Sequence, residues 1–162
     1  MSFGALIDQL VAAVHHLSAA AWFGALVYRA FFVDPKALKF FPASAEFERF
    51  SLDLAHGMRY VVLAALLTCG LSGFMLVGLR WNSADSWVAL MTGKVTIWGI
   101  AFALFAYISW VFWPRRVFAE GNELSRVRRH GLILALVMIG IAGHGIVLGQ
   151  LGQGVRNPAG VE

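Results

Sequence analysis

Apolar residues fill four long stretches of the chain, and polar and charged residues gather between them. The first stretch runs from about Ala5 to Val33 and meets Asp34-Pro35. The second runs from about Phe50 to Leu79, the third from about Trp87 to Trp113 before Pro114, and the fourth from about His130 to Leu151. A bilayer core about 30 Å thick is crossed by roughly 20 helical residues, so each stretch is long enough to span it. The pattern predicts an all-α integral membrane protein. Residues 1–162 form a single transmembrane domain, a four-helix bundle with helices at about 5–33, 50–79, 87–113 and 130–151. The first stretch lacks a basic segment before it and a small-residue cleavage site after it, so it is expected to remain as a span.

Charge placement orients the bundle. Lys36, Lys39 and Arg49 follow the first stretch, and Arg115, Arg116, Arg126, Arg128 and Arg129 follow the third. On the other side the loops hold Arg80 and Arg156. Basic loops stay in the cytoplasm, which predicts an up-down-up-down bundle in a bacterial inner membrane with both termini periplasmic. The segment Lys36–Phe47 mixes charges with Phe40, Phe41 and Phe47 and is expected along the interface. The polar tail from Gly152 is expected to fray. Composition fits a lipid environment: 14% of residues are charged, against about 25% in soluble domains. The net charge of +4 does not indicate nucleic acid, because the basic residues lie between spans. Cys69 is the one cysteine, which excludes an internal disulfide and a thiolate zinc site.

Ionisable groups within a membrane helix are costly and mark function. The chain has five histidines, and alternating helix direction sorts them into two levels. His15 and His16 lie a few Å to the periplasmic side of the midplane, and His144 roughly 5 Å to the same side. His56 and His130 lie near the cytoplasmic ends of their helices. His130 and His144 are about 21 Å apart along the fourth helix and within about 40° around it, a spacing analogous to that of helices holding two stacked haems in di-haem cytochromes b. Bis-histidine ligation between facing helices then gives one or two haem b groups.

Gly70, Ser72, Gly73 and Gly78, with Gly140, Gly143, Gly145 and Gly149, would give a macrocycle room at the periplasmic level. Plain helix packing is the other use of such small residues. His130 beside Arg128 and Arg129 has the alternative of an interfacial flank, and His56 near Asp53 and Arg59 that of a polar cluster. His15 shares a face with Trp22, and His15 and His16 point about 100° apart, so one of them faces the bundle centre. Lys94 either snorkels outward or meets a propionate, a quinone oxygen or the iron. Arg29 and Arg59 either pair with Asp53 or hold propionates. Trp98 lies too deep for an interfacial belt.

The run His15-His16-Leu17-Ser18-Ala19-Ala20-Ala21-Trp22-Phe23-Gly24-Ala25-Leu26 resembles the His-then-Trp-Gly opening of the copper-resistance D-like (CopD) membrane proteins and of the HemJ-type protoporphyrinogen oxidases. Leu71-Ser72-Gly73 and Met91-Thr92-Gly93-Lys94-Val95 are similar to a small-residue motif and an early third-helix lysine in both families. The HemJ likeness implies His15 and Lys94 as haem ligands. It departs at Val27-Tyr28-Arg29-Ala30-Phe31, which stands where that family has a Tyr-Leu-Pro-Arg-type continuation, and it does not require His144. The copper-resistance likeness implies copper uptake. Soft ligands select Cu(I), yet Met1, Met58, Met75, Met91 and Met138 form no paired motif.

The sequence therefore points to an inner-membrane haem b redox protein, passing electrons between haem and a quinone or a partner subunit. His15, His16, His56, His130 and His144 are the candidate iron ligands, with Lys94 and Arg59 as further cofactor contacts. The alternatives are a copper-binding or transport protein on His15, His16 and His144, a protoporphyrinogen oxidase, and a subunit that only packs within a larger respiratory complex.

Overall fold

The computed structural model describes residues 2–41, 44–81, 83–117, 119 and 121–156, and all its regular structure is helical. Four helices are long and apolar enough to cross a membrane: Phe3–Phe40, Ala45–Leu79, Asp85–Arg116 and Glu123–Leu151. In finer detail the first comprises α1 (Phe3–Tyr28), a π-helical turn (Arg29–Val33) and α2 (Asp34–Phe40). The second is α3 (Ser44–Leu79). The third comprises α4 (Asp85–Tyr107), a second π-helical turn (Ile108–Phe112) and α5 (Trp113–Val117), and the fourth is α6 (Gly121–Arg156). Ser2 caps α1, its Oγ accepting from the Ala5 N–H at 3.3 Å.

Every span is longer than its apolar stretch, and two of the expected stops are passed. Pro35 and Pro114 do not end their helices. Proline lacks an N–H and its ring crowds the carbonyl four residues back. Each proline here follows a π-helical turn, in which the Asp34 N–H reaches Arg29 O and the Trp113 N–H reaches Ile108 O, five residues back. The extra residue in the turn re-registers the ladder, so the proline falls at the start of a fresh helical segment where its missing donor costs little. Lys36 and Lys39 thus continue the first helix rather than lying in a loop. α3 and α6 each have 36 residues, about 54 Å of helix. Their first turns carry Glu46 and Glu123, placed where the helix dipole favours an acid. His130 therefore sits well inside α6 and not at its start. The helix also continues to Arg156, and the rest of the tail expected to fray lies outside the described residues.

α1 packs along α3 and against α6, α4 packs along α6, and α3 meets α4, so the four spans close a ring. Its centre is a compact cluster of Trp22, Leu66, Ala101, Phe105, Met138 and Ala142. The outer surface is apolar, with Leu10, Val14, Leu17, Leu71, Ile100, Leu132, Val137 and Val147 all exposed, as a lipid-facing surface requires. On one side of the central cluster the ring is closed by charge. Glu48 takes a bidentate pair from Arg116 (2.7 and 3.1 Å) and a third bond from Arg128 (2.7 Å). Arg29 donates to Ser51 O at 3.3 Å and pairs with Asp34 at 3.7 Å. Arg29 and Arg116 also stack on Trp113, and Arg116 and Arg128 on Phe47. On the other side the helices enclose a cavity.

Candidate functional site

The cavity has a volume of ≈ 700 Å³ and all four spans line it, a size within the usual range for small-molecule sites. α1 contributes His15, His16 and Trp22. α4 contributes Trp87, Lys94 and Trp98, and α6 contributes Gly145 and Gly149. Arg80, just past the end of α3, lines it as well. No Asp or Glu is among the described residues of its wall.

His15 is held by α3. Its Nδ1 is 2.9 Å from Cys69 O and 3.3 Å from Ser72 Oγ. Ser72 spends its own proton on Thr68 O at 2.6 Å. A carbonyl only accepts, so Nδ1 carries the proton and the Nε2 lone pair is left free. Ser18 Oγ donates to His15 O at 3.0 Å and steadies the same turn of α1. Gly73 makes the contact possible, because a Cβ there would stand 3.1 Å from the ring's Cε1. Gly70 plays the same part for Trp98. Its missing side chain would fall 2.8 Å from the indole nitrogen, and that nitrogen donates to Leu66 O at 3.1 Å. Two of the α3 glycines expected to leave room for a macrocycle, Gly70 and Gly73, thus receive protein rings, whereas a Cβ at Gly78 would meet nothing within 4 Å. Gly145 and Gly149 of α6 border the open space, and Lys94 Nζ lies 3.8 Å from where a Gly149 Cβ would be. Among the described residues Lys94 makes no ion pair.

Arg80 reaches α1. Its Nε and Nη2 donate to the two carboxylate oxygens of Asp8 at 2.6 and 2.7 Å. That hydrogen-bonded carboxylate holds the guanidinium pKa above its ordinary value, so the charge is permanent. Trp81 and Trp87 meet edge to face beside it, with ring centres 5.3 Å apart.

The sequence candidates divide sharply. His15, His16 and Lys94 come together on one cavity, and His15 and Trp22 do share its wall. His16 is exposed and meets His15 edge to face at 5.9 Å. His144, His56 and His130 are exposed and do not line the cavity. His144 follows Gly143, whose missing Cβ would meet nothing within 4 Å. His56 lies against Tyr60, and His130 stacks on Phe112 at 5.7 Å. Arg59 lies over the Trp110 ring at 5.7 Å, and Arg29 pairs with Asp34 rather than Asp53. Asp53 instead borders a shallow cleft with Phe40, Phe41, Glu46, Arg49 and Phe50. Among the described residues no three His, Cys, Asp or Glu side chains come together as a metal site. His144, His56 and His130 thus lie outside the cavity that His15 and His16 line. Sequence reading missed the Cys69 carbonyl and Ser72 as the clamp on His15, and the Asp8–Arg80 pair. No family model matches the chain, and no curated protein or solved structure matches it.

Proposed function

We propose that this chain is a haem b-binding redox protein of the bacterial cytoplasmic membrane, with His15 as its iron ligand. The observation that carries the reading is the His15 clamp. A metal-bound histidine characteristically donates its second ring N–H to a carbonyl or carboxylate, which fixes tautomer and orientation, and His15 Nδ1 does this to Cys69 O. The cavity suits the group in three further respects: its volume, its aromatic and glycine walls, and its cationic side chains with no acid among the described wall residues. Haem would supply one-electron chemistry. The protein's part is to present Nε2 of His15, to keep water out with Trp87 and Trp98, and to hold positive charge at Lys94 and Arg80. The partner in electron transfer is a quinone or another subunit.

Lys36, Lys39, Arg49, Arg115, Arg116, Arg126, Arg128 and Arg129 fall in the outer turns of their spans at the basic end and support an up-down-up-down bundle with both termini periplasmic, because such residues stay in the cytoplasm. The cavity then lies in the periplasmic half. A second reading rests on Lys94, which shares the cavity with His15, the ligand pair that the HemJ likeness implies. In that reading the porphyrin is also the substrate class, and the activity is oxidation of a porphyrinogen.

The test is an optical spectrum and haem-to-protein ratio on protein extracted in mild detergent. The expected result is a Soret band at one haem per chain that is lost in His15→Ala while the protein stays in the membrane. A haem-free wild type, or full retention in His15→Ala, would overturn the assignment. Conversion of protoporphyrinogen by the purified protein, lost in Lys94→Ala, would favour the second reading.

A further inference from the structure

We infer that Arg80 is the anchor for the carboxylates of the cavity's ligand, and that Asp8 positions it for that task. The inference rests on the haem reading and extends it to the ligand's polar edge. A guanidinium offers five N–H groups in a rigid fork. Asp8 occupies the edge formed by Nε and one N–H of Nη2. The second edge, both N–H groups of Nη1 with the remaining one of Nη2, is not used by that pair, and Arg80 lines the cavity. This end-on edge matches a carboxylate in bidentate geometry. The fork is therefore oriented before any ligand arrives, and little side-chain freedom is lost on binding.

Level and charge agree with this role. His15 lies seven residues from Asp8 along α1, about 10 Å deeper in the bundle. Lys94 lies nine residues into α4, about 13 Å from its start. His15 and Lys94 line the same cavity as Arg80, which lies just past the end of α3 and is tied to Asp8, about two turns nearer the start of α1 than His15. That offset is comparable to the reach from the centre of a tetrapyrrole to its peripheral carboxylates. Asp8 offsets the charge of Arg80, whereas Lys94 has no ion-pair partner among the described residues. An apolar-walled cavity that carries surplus positive charge favours an amphipathic anion over a neutral ligand of the same shape. A quinone brings no such charge, and a bare metal cation would be repelled.

The experiment compares ferric haem with its dimethyl ester, which keeps iron and ring but has no carboxylates. Each is titrated by absorbance into haem-free full-length protein in detergent. Wild type should bind the free acid more tightly than the ester. Arg80→Gln should weaken the free acid roughly 10- to 100-fold, as expected for a lost charge-assisted pair, and leave ester affinity unchanged. Asp8→Asn, which keeps the guanidinium and removes its orienting partner, should weaken the acid by less and again spare the ester. Ester binding is the internal check that each variant is folded. Equal weakening of both ligands by Arg80→Gln would make Arg80 a structural clasp between α1 and α3 and overturn the inference. Unchanged acid binding would also overturn it, with the haem reading intact. Failure of wild type to bind either ligand would overturn the haem reading and this inference together.

Discussion

The two ends of the bundle are built from the same kinds of side chain and put to opposite uses. At the basic end Arg29, Arg116 and Arg128 have their charge taken up within the protein, by Glu48, by Asp34 and by the faces of Trp113 and Phe47. At the other end Trp87 and Trp98 line a cavity, Asp8 grips Arg80 along one edge, and Lys94 makes no ion pair among the described residues. Arginine beside tryptophan is therefore not a signal of function by itself. The difference lies in whether the protein pairs its own charges. Where it does, the group is a fastener; where a cavity is bordered by polar groups still able to bind, the protein is prepared for something else.

The largest effect that separates the ends is expected at His15. His15→Ala should remove bound haem altogether, a loss greater than the roughly 10- to 100-fold that removal of a supporting hydrogen bond costs a metal site. Gly73→Val should act on the same ring from outside. A Cβ at 73 already lies 3.1 Å from Cε1, and a branched side chain leaves the imidazole nowhere to stay. Thermal stability in detergent should move far less than haem content in both variants. If the two fall together, the cavity is a structural element like the opposite end.

The reverse signature is expected at Glu48. Its side chain is 15% exposed and its partner Arg116 10%, so Glu48→Ala strands the Arg116 guanidinium in a largely buried place, whereas Arg128 at 29% exposure can still reach water. Removal of one partner of a buried ion pair costs about 3–5 kcal/mol. A denaturation series in mixed micelles should show that loss, while the protein still folded should keep its haem spectrum. A spectrum that shifts with Glu48→Ala would mean that the two ends communicate.

Gly70→Ala should give a smaller change of mixed character. The new methyl meets the Trp98 indole, and overpacking of this kind costs about 1–3 kcal/mol. Because Trp98 also lines the cavity, its displacement should broaden the Soret band without abolishing it. A tryptophan fluorescence shift that accompanies the change would confirm that the indole has moved off Leu66 O.

What the sequence made legible follows the same division. Four spans could be placed because length and apolarity are one-dimensional properties. Which way a histidine faces could not. The spans are apolar all round, so no polar stripe marks an outer surface and no apolar stripe an inner one, and only the packed ring of helices settles the angle. Hence His15 and His16 remained equivalent candidates until Cys69 O and Ser72 took one of them. The two prolines misled for a related reason: a π-helical turn depends on hydrogen-bond register, which composition does not report. The Asp8–Arg80 pair joins residues 72 positions apart, and it became visible only once α1 and α3 were side by side.

The smallest effect is expected at His144, and it tests the angle of α6 directly. Its depth made it an attractive ligand, but the neighbouring Gly145 is the residue that lines the cavity, and consecutive residues on a helix point about 100° apart. His144 is exposed, on a face that also carries Val137 and Val147. His144→Ala should therefore leave haem content and band positions unchanged, with stability within about 0.5 kcal/mol of wild type, the usual range for a surface substitution away from special features. Loss of the Soret band in this variant would require α6 to turn by about 100°. Such a turn would carry Gly145 and Gly149 away from the cavity, put a histidine in their place, and leave Lys94 facing a different surface. The comparison of the two ends would then have to be redrawn around a histidine pair contributed by α1 and α6.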